Sequence, residues 1–303
     1  MTPADLLEVL CAAHLSSYVP APSEDRGGIM LVGPPNTFKS TMLDTVDRQY
    51  PDTLQVSDLN AKALSNYRDA MSGGSVRSLL IPELAKLYQR KAETAENLEG
   101  TIQALVAEGW HSASFEDSRQ NRFRARCFCI AAMTPKTQQV HYQQWEDSGF
   151  SRRFLWSLYR LKNPDALERA LLEWRRVEFE VVHLPRQPHP GEIIRNTTTY
   201  EERQLLQRWV KYQPGVGAHT LQVQTLTRML AVLKWWYAQV SPQRSAIDTL
   251  SRFAASLGRE GAEVELAGGG GFSVQKRTAE RRKAEKVAVS AAAKLMAKRR
   301  KRK

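Results

Sequence analysis

The sequence has few cysteines and no long hydrophobic run. Its three cysteines, Cys11, Cys127 and Cys129, show no spacing with histidine that suits a zinc site, so we expect reduced thiols in the core. No apolar stretch approaches the ~20 residues that a membrane-spanning helix needs. The N-terminus also lacks the basic and apolar segments of a signal peptide. These absences predict a cytoplasmic protein with no membrane partner.

Acidic residues are scarce near the C-terminus, where residues 266–303 hold 13 Lys and Arg but only two Glu. The net charge of the 303-residue chain is +12, so the rest of the chain is nearly neutral. The tail follows the glycine-rich linker 267–271 and has few large apolar residues. It suits a polyanion, and Lys298, Arg299 and Arg300 are its predicted nucleic-acid contacts. A merely solubilising extension is the alternative.

The most informative stretch is 29–41, which has the pattern of a phosphate-binding loop. Four apolar residues predict a short buried strand, a turn rich in Gly and Pro follows, and Lys-Ser-Thr begins a helix. This layout brings a phosphate to a helix N-terminus. The expected cofactors are ATP and Mg²⁺, and the predicted nucleotide-binding residues are Gly33, Pro34, Pro35, Asn36, Thr37, Phe38, Lys39, Ser40 and Thr41.

Two residues of this stretch have predicted chemical roles. Lys39 would pair with the β and γ phosphates, and the Ser40 hydroxyl would ligate Mg²⁺. The pattern G-x-x-x-x-G-K-[ST] fails at one position, because Phe38 replaces the second Gly and its β-carbon restricts the fold of the loop. An ordinary strand, loop and helix with a surface lysine is the alternative.

A second apolar run, 76–81, ends in Pro82-Glu83. We expect the strand next to that of the loop to end in acids that hold the Mg²⁺ water and polarise the attacking water. Glu83 is therefore a predicted catalytic and metal-binding residue. Pro82 occupies the place where an Asp usually precedes the Glu, which predicts slow hydrolysis. A helix-capping Glu is the alternative.

Arginines alternate along the second arm of a predicted hairpin at 110–126. Period-2 alternation puts Arg122, Arg124 and Arg126 on one face, and Arg119 adds to this basic ridge. The ridge suits a phosphodiester backbone. A solvated hairpin face is the alternative.

Two further candidates follow apolar strands. Thr134 ends the run 128–133 and could touch the γ phosphate, unless it only terminates the strand. Arg152 and Arg153 precede the strand 156–161, where a guanidinium could reach the γ phosphate of a neighbouring subunit. A structural salt bridge is the alternative for this pair.

The order of the elements predicts an α/β fold with an open, mostly parallel sheet of the P-loop ATPase kind, a C-terminal helical domain and a basic tail. Helices are predicted at 165–176, 199–212, 219–240 and 242–257. In the third of these, Arg228 could reach back to bound nucleotide. The predicted divisions are an N-terminal helix and linker, a nucleotide-binding core, a helical domain, and the linker with its tail: 1–28, 29–162, 163–265 and 266–303.

These motifs together resemble the AAA+ ATPases, most nearly the helicase-like ones of phages and mobile elements. Gly-Pro-Pro-Asn-Thr before Lys39 and Ser40 is similar to the loop of superfamily III helicases. Ser-Arg-Arg-Phe at 151–154 resembles the finger of the minichromosome-maintenance group, whose second sensor arginine is similar in placement to Arg228. The resemblance implies a DNA-contacting hairpin, a homo-oligomer with a hexamer as the expected size, and a bacterial or phage-infected cell.

Three hypotheses follow. The first is a ring-forming ATPase that moves along or remodels single-stranded or duplex DNA during replication. The second is an ATP-gated loader or scaffold on DNA with little hydrolysis, which the departures at Phe38 and Pro82 favour. The third, a packaging motor, is disfavoured because no nuclease domain of paired carboxylates follows the ATPase stretch.

Overall fold

The computed structural model describes residues 3–20, 25–110, 124–161, 184–211, 220–257 and 262–264. All of these residues fall in one compact unit, formed by residues 1–161 and 177–265. Several predictions lie outside the described residues: the helix at 165–176, the tail, and the nucleic-acid contacts Arg119, Arg122, Lys298, Arg299 and Arg300. No helix in the described ranges is both long and apolar enough to cross a membrane.

A parallel sheet forms the centre of the unit, so the predicted α/β class is confirmed. Five strands have the order β2-β3-β4-β1-β5, and a short sixth strand pairs in parallel with the end of β5. The strands are β1 (Gly28–Val32), β2 (Thr53–Gln55), β3 (Ser78–Ile81), β4 (Phe128–Met133), β5 (Phe154–Leu161) and β6 (Ala262–Val264).

The apolar runs explain the three inner strands. Every residue of β1, β3 and β4 is buried, as expected for parallel strands covered on both faces. The strand order corrects one expectation, because β4 lies between β1 and β3. Glu83 therefore follows a strand that is not the neighbour of the loop strand.

Nine α-helices occur in the described ranges: α1 (Pro3–Leu15), α2 (Lys39–Gln49), α3 (Ala61–Asn66), α4 (Arg68–Ser72), α5 (Ala92–Gln103), α6 (Pro135–Asp147), α7 (Tyr200–Val210), α8 (Thr220–Val240) and α9 (Ala246–Ala254). A π-helical turn, Ala104–Glu108, extends α5, and a 3₁₀ helix, Leu84–Gln89, follows β3. Helix α6 was not predicted from the sequence, although Thr134 is a good N-cap and Pro135 suits the first helical position.

The predicted N-terminal helix is present as α1, and it is buried along most of its length. Residues 6–17 are all buried, and α1 contacts α8 and α9. Its two acids are paired, Glu8 with Arg244 at 2.9 Å and Asp5 with Arg252 at 3.2 Å. These contacts make α1 part of the core and fix the helices after residue 220 to it.

Candidate functional site

The stretch predicted to bind phosphate follows β1 directly and joins it to α2. Strands β2, β3 and β4 lie on one side of β1, and β5 and β6 lie on the other. In open parallel sheets, ligands bind beyond the carboxyl ends of the strands at the point where the strand order changes side. The topology therefore places residues 33–38 (the phosphate loop) at the expected position of a ligand crevice.

Two non-glycine residues of the phosphate loop have left-handed backbone. Asn36 has φ 59° and Phe38 has φ 62°. Asparagine tolerates this region, but a phenylalanine there costs about 1–2 kcal/mol. Phe38 is also the N-cap of α2 and its side chain forms no capping hydrogen bond. Position 38 therefore has the backbone that the missing glycine of the motif would adopt without cost.

Gly33 allows a close approach at the start of the loop. A β-carbon at this residue would lie 3.1 Å from Thr37 Oγ1 and 3.2 Å from the ring of Tyr159. The Thr37 hydroxyl donates to the Pro34 carbonyl at 2.7 Å, and the Tyr159 hydroxyl donates to the Thr37 carbonyl at 2.9 Å. Tyr159, a buried residue of β5, thus anchors the loop from the neighbouring strand.

The Lys39 side chain folds back over the loop. Its Nζ donates to the carbonyl oxygens of Gly33 at 2.8 Å and Pro34 at 2.6 Å, and to Thr37 Oγ1 at 3.2 Å. No carboxylate is among the hydrogen-bond partners of this ammonium in the described residues, and burial lowers the pKa of Lys39 to about 8. The cation is held by neutral oxygens, which an anionic ligand can replace.

The first turn of α2 faces solvent beside this lysine. Ser40 and Thr41 are both exposed. Their backbone N–H groups belong to the first four of the helix, which have no partner within the helix. Free N–H groups and the helix dipole favour an anion at this place. The loop, the lysine and the helix N-terminus thus offer donors to phosphate from one edge of the sheet.

Thr134 and Glu83 lie at the same edge of the sheet as the loop. Val32 of β1 is in register with Met133 of β4, so Thr134 is level with Gly33 on the adjacent strand. The Thr134 hydroxyl accepts from the Thr137 N–H at 3.3 Å and caps α6. This contact leaves its hydrogen available to a ligand or to Thr137 Oγ1, which lies 3.0 Å away.

Glu83 is farther from the loop than expected. It follows β3, two strand spacings or roughly 10 Å from β1. Its side chain is 55% exposed and pairs with Lys86 Nζ at 3.0 Å. In the described ranges no three His, Cys, Asp or Glu side chains form a metal site. Of the two residues predicted to hold Mg²⁺, Ser40 thus lies beside the loop, whereas Glu83 lies two strand spacings away and is paired with Lys86.

The arginine pair lies at the opposite, amino edge of the sheet. Arg153 immediately precedes β5, and Phe154 is in register with Gly28, the first residue of β1. Arg153 donates to Glu108 Oε1 at 2.6 Å and to the Gly149 carbonyl at 2.7 Å. Arg152 is exposed, and no hydrogen bond or ion pair joins it to the described residues. Arg153 is thus structural, whereas the Arg152 side chain has no hydrogen-bond or ion-pair partner in the described ranges.

Arg228 also lies at the amino edge, which differs from the expectation that it reaches the nucleotide. Its guanidinium donates to the carbonyl oxygens of Asp25 at 2.7 Å and Arg26 at 3.0 Å, just before β1. The length of β1, about 16 Å for five residues, separates this point from the phosphate loop. Burial, with a smaller contribution from the charge of Arg26, lowers the pKa of Arg228 to about 10.

The base of the predicted hairpin is present. Trp110 and Ala125 form an antiparallel bridge, with N–H to carbonyl distances of 2.9 Å and 3.2 Å. Arg124 and Arg126 each donate to the Glu108 carbonyl oxygen at 3.1 Å, as expected for side chains that share one face. Glu108 therefore connects both arginines to Arg153 at the amino edge.

Comparisons with known proteins do not identify a relative. No protein-family model matches the chain, and no curated protein shows significant similarity to it.

Proposed function

We propose that this protein is an ATP-binding, ring-forming ATPase that acts on DNA. The observation that supports nucleotide binding most directly is the position of Lys39, held over a backbone loop between β1 and α2 by neutral oxygens alone. The proposal assigns the β and γ phosphates to this lysine and to the N–H groups of the loop and of the first turn of α2.

Binding would exchange partners of Lys39. The ammonium would leave the carbonyls of Gly33 and Pro34 and pair with phosphate. The hydrogen bond from the Tyr159 hydroxyl to the Thr37 carbonyl would persist. The Ser40 hydroxyl faces outward at the start of α2, and Glu83 would orient water from the end of β3. Mg²⁺, when bound with the nucleotide, would neutralise phosphate charge.

The positions of Arg152 and the phosphate loop in the sheet support a contribution from a second subunit to the nucleotide site. Arg152 precedes β5 while the phosphate loop follows β1, so the two lie at opposite edges of one sheet. Arg152 therefore reaches a phosphate only on a second copy of the chain, and it is a better candidate than Arg153, which Glu108 holds. A homo-oligomer, with a hexamer as the expected size, would bring the two edges together.

DNA is the proposed partner because of basic residues away from the loop. Arg124 is exposed at the base of the hairpin, and the tail after residue 266 supplies most of the net charge. Such charges bind the phosphate backbone by releasing counterions. The proposed location remains the cytoplasm of a bacterial or phage-infected cell.

A second candidate function is an ATP-gated loader or scaffold that hydrolyses slowly. Three observations favour it: the left-handed Phe38, Pro82 in place of an acid, and the ion pair of Glu83 with Lys86. Each would retard the chemical step while leaving phosphate binding intact.

Steady-state phosphate release, with and without single-stranded DNA, tests the proposal and separates the two candidates. We expect DNA-stimulated turnover in the native chain and none in Lys39→Ala. ATP-dependent assembly without turnover would move the conclusion to the loader or scaffold. Equal turnover in both proteins would overturn the assignment of the loop.

A further inference from the structure

A basic cavity of about 800 Å³ lies between α7 and α8. Three cations line its α7 wall, namely Arg203, Arg208 and Lys211, together with side-chain amides. The α8 wall presents Val223 and Arg228 among hydroxyl and amide groups. No carboxylate is among the described residues that line it, whereas Arg203, Arg208, Lys211 and Arg228 are cations.

The three cations of α7 are uncompensated. All are exposed, and no hydrogen bond or ion pair joins their side chains to the described part of the chain. Arg208 lies in the last turn of α7 and Lys211 directly follows this helix, so the helix dipole favours both cations there. Arg203 lies near the N-terminus of α7, where the helix dipole disfavours a cation. The neighbouring Glu202 is already engaged, since it pairs with Lys234 at 2.6 Å.

A buried, partly unsatisfied arginine also borders the cavity. Arg228 is 2% exposed, and its two terminal nitrogens donate to the carbonyls of Asp25 and Arg26. Its Nε is buried and has no hydrogen-bond partner among the described residues. A buried donor without a partner costs about 1–3 kcal/mol, so an anion or its water that reached it would remove this cost.

From this arrangement we propose that the cavity binds the sugar–phosphate backbone of one nucleic-acid strand, independently of base sequence. Arg203 and Lys211 are eight residues apart, or about 12 Å along α7. Over this span the three cations can contact successive phosphates of one strand.

The neutral lining supports the same ligand. Gln204, Gln207 and Thr227 offer amide and hydroxyl groups, which commonly contact phosphate and sugar. No aromatic residue is among the described lining residues, so these residues offer no platform for stacked bases.

An acidic peptide fits the cavity less well. Peptides bound beside helices are anchored by apolar or aromatic side chains in pockets. Val223 is the one apolar residue that the described lining provides. The inference rests on the proposed action on DNA and assigns a contact surface for it, and this site needs neither ATP nor the phosphate loop.

The test is fluorescence anisotropy of labelled oligothymidylate with the full chain, without nucleotide, over a range of NaCl concentrations. The variant combines Arg203→Gln, Arg208→Gln and Lys211→Gln, which preserve helix propensity. Its matched control combines Arg48→Gln, Lys91→Gln and Lys136→Gln, three exposed positions outside the cavity with the same change of charge.

Each phosphate contact on a single strand contributes about 0.7 to the slope of log affinity against log salt concentration. Loss of three contacts should therefore reduce the magnitude of this slope by about 2 in the cavity variant. The control should keep a native slope, and polyglutamate should not displace the oligonucleotide. Equal slopes in the two variants, or displacement by polyglutamate as effective as by unlabelled oligothymidylate, would overturn the proposal. The affinity for ATP, measured on the same proteins, should not change. A failure of the ATPase proposal would therefore appear in the ATP measurement and not in the binding of the oligonucleotide.

Discussion

The Lys39 ammonium lies 2.8 Å from the Gly33 carbonyl oxygen, so the lysine closes the phosphate loop on itself. This contact joins the first helical residue of α2 to the first residue after β1. The ammonium is half-buried and its bonds are to neutral oxygens, which explains the lowered pKa of Lys39.

The affinity for ATP should depend on pH through Lys39. Its pKa in the free protein is about 8, and the bound phosphates would raise it. The dissociation constant should therefore be constant below about pH 8 and rise by up to about tenfold per unit above it. The measurement is a titration with ATP from about pH 7 to about pH 9.5. Lys39→Arg should show no such rise, because arginine stays charged, and a constant affinity in the native chain would contradict this account.

Position 38 should favour glycine over alanine. Both Phe38→Gly and Phe38→Ala lose the ring, but only alanine retains a β-carbon on a left-handed backbone. After allowance for the greater freedom of glycine in the unfolded chain, Phe38→Gly should be more stable by about 1 kcal/mol. Urea denaturation measures the difference. A Phe38→Ala protein as stable as Phe38→Gly would show that the backbone at this position is not strained.

The two adjacent arginines should differ in their effects. Arg153→Ala removes the contacts with Glu108 and Gly149 and should cost about 1–2 kcal/mol in the free energy of unfolding. Arg152→Ala should leave stability unchanged within about 0.5 kcal/mol, yet lower ATP turnover while ATP binding persists. Thermal denaturation and phosphate release on both variants give the comparison. Loss of stability with Arg152→Ala would contradict its assignment as the free arginine.

A buried network should make stability depend on pH. The Tyr18 hydroxyl donates to Asp52 Oδ2 at 2.6 Å, and His14 Nε2 lies 3.2 Å from Oδ1. Burial alone would raise the pKa of Asp52, but these contacts outweigh it and hold the pKa below its ordinary value. The stabilisation is therefore complete above the unfolded pKa of about 3.9 and is lost as pH falls through the folded pKa.

The corresponding substitution is Asp52→Asn, compared by urea denaturation at about pH 7 and about pH 3. It should cost about 1–3 kcal/mol at the higher pH and less at the lower one. Asp69→Asn is the matched control, since that side chain is 90% exposed. A cost for Asp52→Asn that is the same at both pH values would show that the carboxylate charge does not stabilise the fold.

The sequence was sufficient to predict β1, β3, β4 and β5 and the loop after β1, because their signals are local, but β6 was not predicted. The apolar run 128–133 agrees with β4 in both its first and last residue. The role of Tyr159 was not predicted. This residue contacts Thr37, which is 122 positions away in the sequence, and no local pattern indicates such a contact. The same limit applies to Glu83. The apolar run before Glu83 predicts a strand, but the placement of β4 between β1 and β3 depends on tertiary packing that no local pattern shows.

The position of Arg228 could not be predicted from its own helix for a similar reason. The start of α8 packs directly on Gly27, where a β-carbon would overlap Thr225 Oγ1. Gln222 also donates to the Phe154 carbonyl at 2.6 Å. These two contacts fix α8 across the amino ends of β1 and β5, and they direct Arg228 away from the phosphate loop.

The most direct test of the central claim is the affinity of the full chain for Mg²⁺ with ATP, measured by calorimetry beside Lys39→Ala. Lys91→Ala, at an exposed site without a partner in the described residues, is the control. We predict binding by the native and control proteins and a loss of about 10–100-fold in Lys39→Ala, as expected for a charge-assisted bond to phosphate. Equal affinity of the native chain and Lys39→Ala, or no binding by either, would contradict the assignment of residues 33–41 as a nucleotide site.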